Sequence, residues 1–189
     1  TGPLNRYSPN DAPTAFEIDT LRLPPSLRSL ALTDAGLDTV PRLSHAHHLE
    51  TLQLHSNRIK HLAHLEGLSG LTWLCLQGNP IQNIAGIESL PKLRSLDLGD
   101  TGLTHLPVLC MPTLTSLNLF RNALKDLPSF AGCPALMDIT VYENKIRGFD
   151  WLETVARNCS VNLIRNELKP ALRAQLAARF EAWTNVSWT

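Results

Sequence analysis

One pattern, L-x-x-L-x-L-x-x-N-x-L/I, runs through this chain and limits what it can fold into more than any other feature. It begins at Leu27, Leu49, Leu71, Leu93, Leu114 and Leu136, and returns in degenerate form from Asn158. The step is 22 residues, except for one of 21 between Leu93 and Leu114. The clearest copies read LETLQLHSNRI (49–59), LTWLCLQGNPI (71–81), LTSLNLFRNAL (114–124) and LMDITVYENKI (136–146). Units this short cannot bury an apolar face alone, so copies in register must stack, each touching only its neighbours.

Within a copy the L-x-L step has the two-residue period of a strand, which turns Leu52/Leu54, Leu74/Leu76, Leu96/Leu98 and Leu117/Leu119 to one side. Stacked, these strands make a parallel sheet over a continuous core. The Asn that follows (Asn57, Asn79, Asn122, Asn144, Asn166) sits where the chain leaves the sheet, and its amide can satisfy buried backbone groups of adjacent copies. Ala35 and Thr101 stand in its place in two copies, each followed by Gly, so backbone freedom is expected to make the turn there. The second half of each copy has apolar residues three apart, as in Leu62/Leu65/Leu68, Ile84/Ile87/Leu90 and Phe149/Leu152/Val155, a spacing that suits short 3₁₀ or irregular turns.

Both ends of such a stack expose core and need covers. Residues 1–15, rich in Pro, Asn and Ser, read as a flexible tail, and 16–26 as an N-terminal cap that keeps half-repeat spacing at Ile18 and Leu21. Residues 27–168 hold about seven repeats. In the C-terminal cap, 169–189, Pro170 opens a helix whose stripe is Leu172, Leu176, Phe180 and Trp183.

Charge narrows the partners. Lys plus Arg (17) equals Asp plus Glu (17), which argues against a field for nucleic acid or an anionic membrane, and no apolar run approaches a membrane span of roughly 20 residues. Cys75, Cys110, Cys133 and Cys159 are widely spaced with no C-x-x-C, so free thiols in a reducing, cytoplasmic setting are expected, with no metal or other cofactor. The histidines His45, His47, His48, His61 and His64 lie in turns or alternate with inward leucines, so solvent exposure is expected of them.

These copies resemble leucine-rich repeats of the 22-residue kind, similar to those of the protein phosphatase one regulatory subunit and of bacterial internalins. The resemblance covers about residues 16–189. It implies an α/β leucine-rich-repeat solenoid: a curved parallel sheet on the concave side, 3₁₀ or irregular turns on the convex side, and a non-enzymatic function of binding a partner protein, as a monomer, through the concave face. A narrower resemblance lies in LPPSLRSLALTDAGLDTVPRL (23–43) and VNLIRNELKPALRAQL (161–176), which look like the start and end of the repeat domain in secreted bacterial effectors of the novel ubiquitin-ligase family. That implies an alternative, a substrate-recognition domain acting in the host cytosol. The family's catalytic Cys-x-Asp motif is absent, so ligase chemistry would belong to another domain.

The concave face can be read by columns. The column after the second core leucine runs Thr33, His55, Gln77, Gly99, Phe120, Tyr142, Ile164, and the next runs Asp34, Ser56, Gly78, Asp100, Arg121, Glu143, Arg165. The binding site expected from this pattern is Trp73, Phe120, Arg121, Tyr142, Glu143, Ile164 and Arg165: an apolar stripe flanked by alternating charge, the composition of an interface hot spot. An enzymatic alternative is a cysteine hydrolase. Gln53, Cys75 and Asp97 share one column, and strand spacing puts His55 roughly 8 Å from Cys75, so Cys75, His55 and Asp97 are candidate nucleophile, base and orienting acid. An open sheet, however, supplies neither an oxyanion hole nor a water-excluding pocket.

Overall fold

The computed structural model describes residues 23–43, 45–180 and 185–188. The expected tail, most of the N-terminal cap with Ile18 and Leu21, and Trp183 lie outside these residues. Eight short strands form one parallel sheet in strict chain order: β1 (Ser29–Ala31), β2 (Thr51–Gln53), β3 (Trp73–Cys75), β4 (Ser95–Asp97), β5 (Ser116–Asn118), β6 (Asp138–Thr140), β7 (Ser160–Asn162) and β8 (Val186–Ser187). Register follows the repeat, with Leu30, Leu52, Leu74, Leu96, Leu117, Ile139 and Val161 paired in sequence across the sheet. β8 is an eighth rung that the repeat pattern does not announce, laid against β7 by the C-terminal segment.

The inward leucines are buried, Leu52, Leu54, Leu74, Leu76, Leu96, Leu98, Leu117 and Leu119 among them. The convex halves close the core from the other side through Leu62, Leu65, Leu68, Ile84, Ile87 and Leu90. Regular 3₁₀ turns form at Ile87–Ser89 and Asp150–Thr154. Phe130 packs edge-on against Trp151 with ring centres 5.8 Å apart, which ties two adjacent convex segments together. At the C-terminal end α1 (Pro170–Arg179) starts with proline in its first turn. Leu176 and Phe180 are buried, and Phe180 meets Phe149 edge-on at 5.8 Å.

The asparagine ladder has the form the turn requires. Asn79 Nδ2 donates to the carbonyls of Leu76 (2.8 Å) and of Leu54 one repeat earlier (2.9 Å), while its Oδ1 accepts from the Ile59 amide (3.0 Å). Asn57, Asn122, Asn144 and Asn166 repeat the scheme. Thr101 takes part of this role, contrary to expectation: its hydroxyl donates to the Leu98 carbonyl at 2.8 Å. It does not reach the previous repeat, and the amide of Ile81, which an Asn there would bind, turns back to the carbonyl of Asn79 (2.8 Å).

A second device is shared by every copy. The residue just before the ladder position has a left-handed backbone: Asp34, Ser56, Gly78, Asp100, Arg121, Glu143 and Arg165, with φ between 50° and 67°. Only one of the seven is glycine, so the inter-repeat bonds made by these residues must hold non-glycine backbone in an unfavourable region. The first six, Asp34 to Glu143, bond across to the next repeat, as Arg121 N donates to the Tyr142 carbonyl at 2.9 Å and Glu143 N to that of Ile164 at 3.1 Å. Gly36 and Gly102 also have positive φ, so the expected glycine turns exist in addition to this shared one.

Candidate functional site

The concave face presents four columns, set by strand alternation and by the turn that follows. The first runs Ser29, Thr51, Trp73, Ser95, Ser116, Asp138, Ser160, and the second Ala31, Gln53, Cys75, Asp97, Asn118, Thr140, Asn162. The third and fourth are those of Phe120 and Arg121. Much of the second column is committed to structure. Asp97, Asn118 and Asn162 each accept from the amide two residues on, those of Gly99 (2.9 Å), Phe120 (3.2 Å) and Ile164 (3.1 Å), an Asx turn that ends the strand.

Phe120, Tyr142 and Ile164 are half-buried on three successive repeats. Their side chains lean differently. The Phe120 ring is folded back over Gly99, one repeat earlier, at a spot where a β-carbon would collide with it. Tyr142 is drawn the other way, its ring centre 5.5 Å from the Arg165 guanidinium. Around Tyr142 the charged column closes into a network. Arg121 Nε donates to Glu143 Oε2 at 2.8 Å, Arg165 pairs with Glu143 Oε1, the Tyr142 hydroxyl donates to the same carboxylate at 2.9 Å, and Arg165 Nη1 donates to that hydroxyl at 2.8 Å. The hydrogen bonds from Arg121, Arg165 and Tyr142 hold the Glu143 carboxyl at about 2, well below the usual range for a glutamate. Trp73 stands apart, 36% exposed in the first column on β3.

Sequence columns missed Asp138, which lies in the first column on the same repeat as Tyr142, two columns from the stripe. Burial pushes its carboxyl up, and a hydrogen bond from Ser160 opposes the shift. Its position between the apolar Met137 and Ile139 was the available signal.

Cys75 does share its column with Gln53 and Asp97. The surroundings of these candidate catalytic residues work against a reactive thiolate. Burial pushes the Cys75 thiol up, a backbone hydrogen bond at Gln77 opposes this, and the charge of Asp97 raises it further, the reverse of what a nucleophilic thiolate needs. Asp97 is occupied by the Gly99 amide, and the His55 ring meets the neighbouring Ser56 hydroxyl at 3.5 Å. Among the described residues no three His, Cys, Asp or Glu side chains converge as a metal site, and no helix is long and apolar enough to cross a membrane.

A family model described as leucine rich repeat matches residues 25–81. Among curated proteins the chain is similar to leucine-rich repeat-containing G-protein coupled receptor 5 of Xenopus tropicalis, 34% identical over 104 residues, which are 52% of this chain and 12% of the receptor. It is also similar to lumican of Mus musculus, 35% identical over 83 residues, 42% of this chain and 25% of lumican. The chain thus spans a quarter or less of the length of these two relatives. Of solved structures, an internalin from Listeria monocytogenes matches with a TM-score of 0.68 at 24% identity, over 86% of this chain and 47% of the internalin. A Shigella effector leucine-rich-repeat domain matches with a TM-score of 0.69 at 23% identity, over 88% of this chain and 73% of that domain. At these identities the structural likeness is one of fold. A 22-residue period that builds one stacked parallel sheet, with these likenesses beside it, makes the chain a leucine-rich-repeat protein.

Proposed function

We propose that the chain is a non-enzymatic module that binds a partner protein on its concave face, centred on Phe120, Tyr142 and Ile164, with Arg121, Glu143 and Arg165 at the rim and Trp73 as an outlying contact. The observation that carries the reading is the half-exposed apolar column on three successive repeats, edged by an ordered arginine–glutamate–arginine network. Apolar area there gains free energy when a second surface removes it from water, and an arginine network already held in place loses little entropy on docking. Rim charges then set orientation and encounter rate more than affinity. Free thiols at all four cysteines fit a reducing, cytoplasmic setting.

The test is a pull-down from cell lysate followed by calorimetry with the recovered partner. Phe120→Ala and Tyr142→Ala are each expected to weaken binding by about 2 kcal/mol or more, while Lys92→Ala, outside this face, leaves it unchanged. Normal binding by the double variant would refute the concave site. The second reading, a substrate-recognition domain of a ligase-type effector, rests on the two terminal segments of the repeat array. It requires a Cys-x-Asp domain in the same reading frame, and a frame without one would remove it.

A further inference from the structure

We infer that the partner bound at the concave face carries an acidic segment, which lies along a basic ridge on the adjoining flank of the last three repeats. The net charge of the chain is zero, yet the fold does not spread it evenly. Beyond the turn that follows each strand, three columns stack on the flank. In the last three repeats they are Arg121/Glu143/Arg165, Ala123/Lys145/Glu167 and Lys125/Arg147/Lys169: six cations against two carboxylates, a surplus of four. The same columns in the four preceding repeats hold two cations, Arg58 and Lys60, against Asp34, Asp38 and Asp100.

Backbone bonds hold the ridge in register, since Lys145 N donates to the Leu124 carbonyl (2.9 Å) and Arg147 N to that of Lys125 (3.1 Å). Three of the cations are internally satisfied: Arg121 and Arg165 share Glu143, and Arg147 holds Glu167 through two nitrogens at 3.0 and 2.7 Å. Lys125, Lys145 and Lys169 are exposed and, among the described residues, have no ion pair. A groove of about 630 Å³ adjoins the last two of the outer column, lined by Arg147, Lys169 and Glu167 with Ala171, Leu172 and Gln175 of α1. It offers apolar floor as well as charge.

This rests on the concave-face reading for where the partner sits, and adds what the partner is made of. Carboxylates of a protein segment suit the surface better than a phosphate backbone. Glu143 and Glu167 interrupt the cations and would repel an unbroken row of phosphates, whereas acidic side chains can be spaced to avoid them. The apolar stripe one column away likewise calls for a partner with apolar side chains beside its acidic ones.

The experiment is fluorescence anisotropy on the intact chain at low salt with a labelled short polyglutamate peptide, alongside a single-stranded DNA oligonucleotide and phosphatidylserine vesicles. The expected result is peptide binding that the Lys125→Glu/Arg147→Glu/Lys169→Glu variant weakens about tenfold or more, that added salt suppresses, and that Lys92→Ala, outside both the stripe and the ridge, leaves unchanged. Circular dichroism of each variant checks that the fold is retained. Equal binding by the charge-reversed variant, no binding by the wild type, or tighter binding of the oligonucleotide or the vesicles would overturn the proposal. Failure of the concave site itself shows separately, as an unchanged affinity of the Phe120→Ala/Tyr142→Ala variant for a recovered partner.

Discussion

The ring of Phe120 lies on the bare backbone of Gly99, the residue that holds the same column one repeat earlier. Any side chain at 99 would occupy the space that the ring now fills, so this glycine sets the pose of the largest apolar group on the concave face. Gly99 does not have a left-handed backbone, and alanine can adopt its conformation. Gly99→Ala is therefore expected to push the ring outward while changing stability by less than about 1 kcal/mol, since a stiffer unfolded chain offsets lost ring contact. Loss of the nuclear Overhauser contact between residues 99 and 120, with an unchanged denaturation midpoint, is the predicted outcome. A large loss of stability would mean that the pair is core and not surface.

The ladder gives a sharper contrast between two buried polar residues. Asn79→Ala takes away the partner of the Leu76 carbonyl and of the Ile59 amide, while the Leu54 carbonyl keeps Asn57 Nδ2 at 2.8 Å, and is expected to cost about 3 kcal/mol. Thr101→Ala removes a hydroxyl from the Leu98 carbonyl, which Asn122 Nδ2 still serves at 2.8 Å, and is expected to cost about 1 kcal/mol. Urea melts compared at equal slope measure both. Equal costs would show that the ladder does not carry the load assigned to it.

The stacked fold was legible because one period, repeated in register, admits few arrangements. Leu74 and Leu96 announce their burial by position, and Pro170 its helix. What was not legible depends on tertiary bonds or rotamers. Nothing in the residue types Arg121 and Glu143 signals a left-handed backbone, which cross-repeat bonds impose. The stripe could be named by column, but the opposite leans of Phe120 and Tyr142 follow from Gly99 on one side and Arg165 on the other. A net charge of zero concealed the flank, where Lys125, Arg147 and Lys169 come together only because repeats stack. The column of Gln53, Cys75 and Asp97 was legible from register, whereas the burial that raises the Cys75 thiol depends on packing that the sequence does not show.

The cysteines make that point measurable. Cys110 is exposed, whereas Cys75, Cys133 and Cys159 are buried, and burial pushes all three of these thiols up, Cys159 to about 11. A thiol reagent at mildly alkaline pH is expected to modify Cys110 rapidly and the other three only on denaturation. His55→Ala should leave the Cys75 rate unchanged. Fast labelling of native Cys75 that disappears in both His55→Ala and Asp97→Ala would restore the hydrolase reading.

Two carboxyls on the concave face should respond to pH in opposite senses. Glu143 has its folded value lowered from 4.5 to about 2, so its network contributes stability that is complete above about 4.5 and is lost as pH falls toward 2. Asp138 has its folded value raised above 3.8 by burial, so the folded state holds its proton more tightly. Its ionisation opposes folding, with no cost below 3.8 and the full cost once pH has risen past the folded value. Asp138→Asn is thus expected to raise Tm at neutral pH, with an advantage that shrinks as pH approaches 3.8. Glu143→Gln should lower Tm at neutral pH and converge on the wild type as pH falls toward 2. Thermal melts of the three proteins across this range decide both claims. A Glu143→Gln deficit that persists at the acid end, or an Asp138→Asn variant less stable than wild type at neutral pH, would show that the corresponding carboxyl is held by something other than the groups named for it.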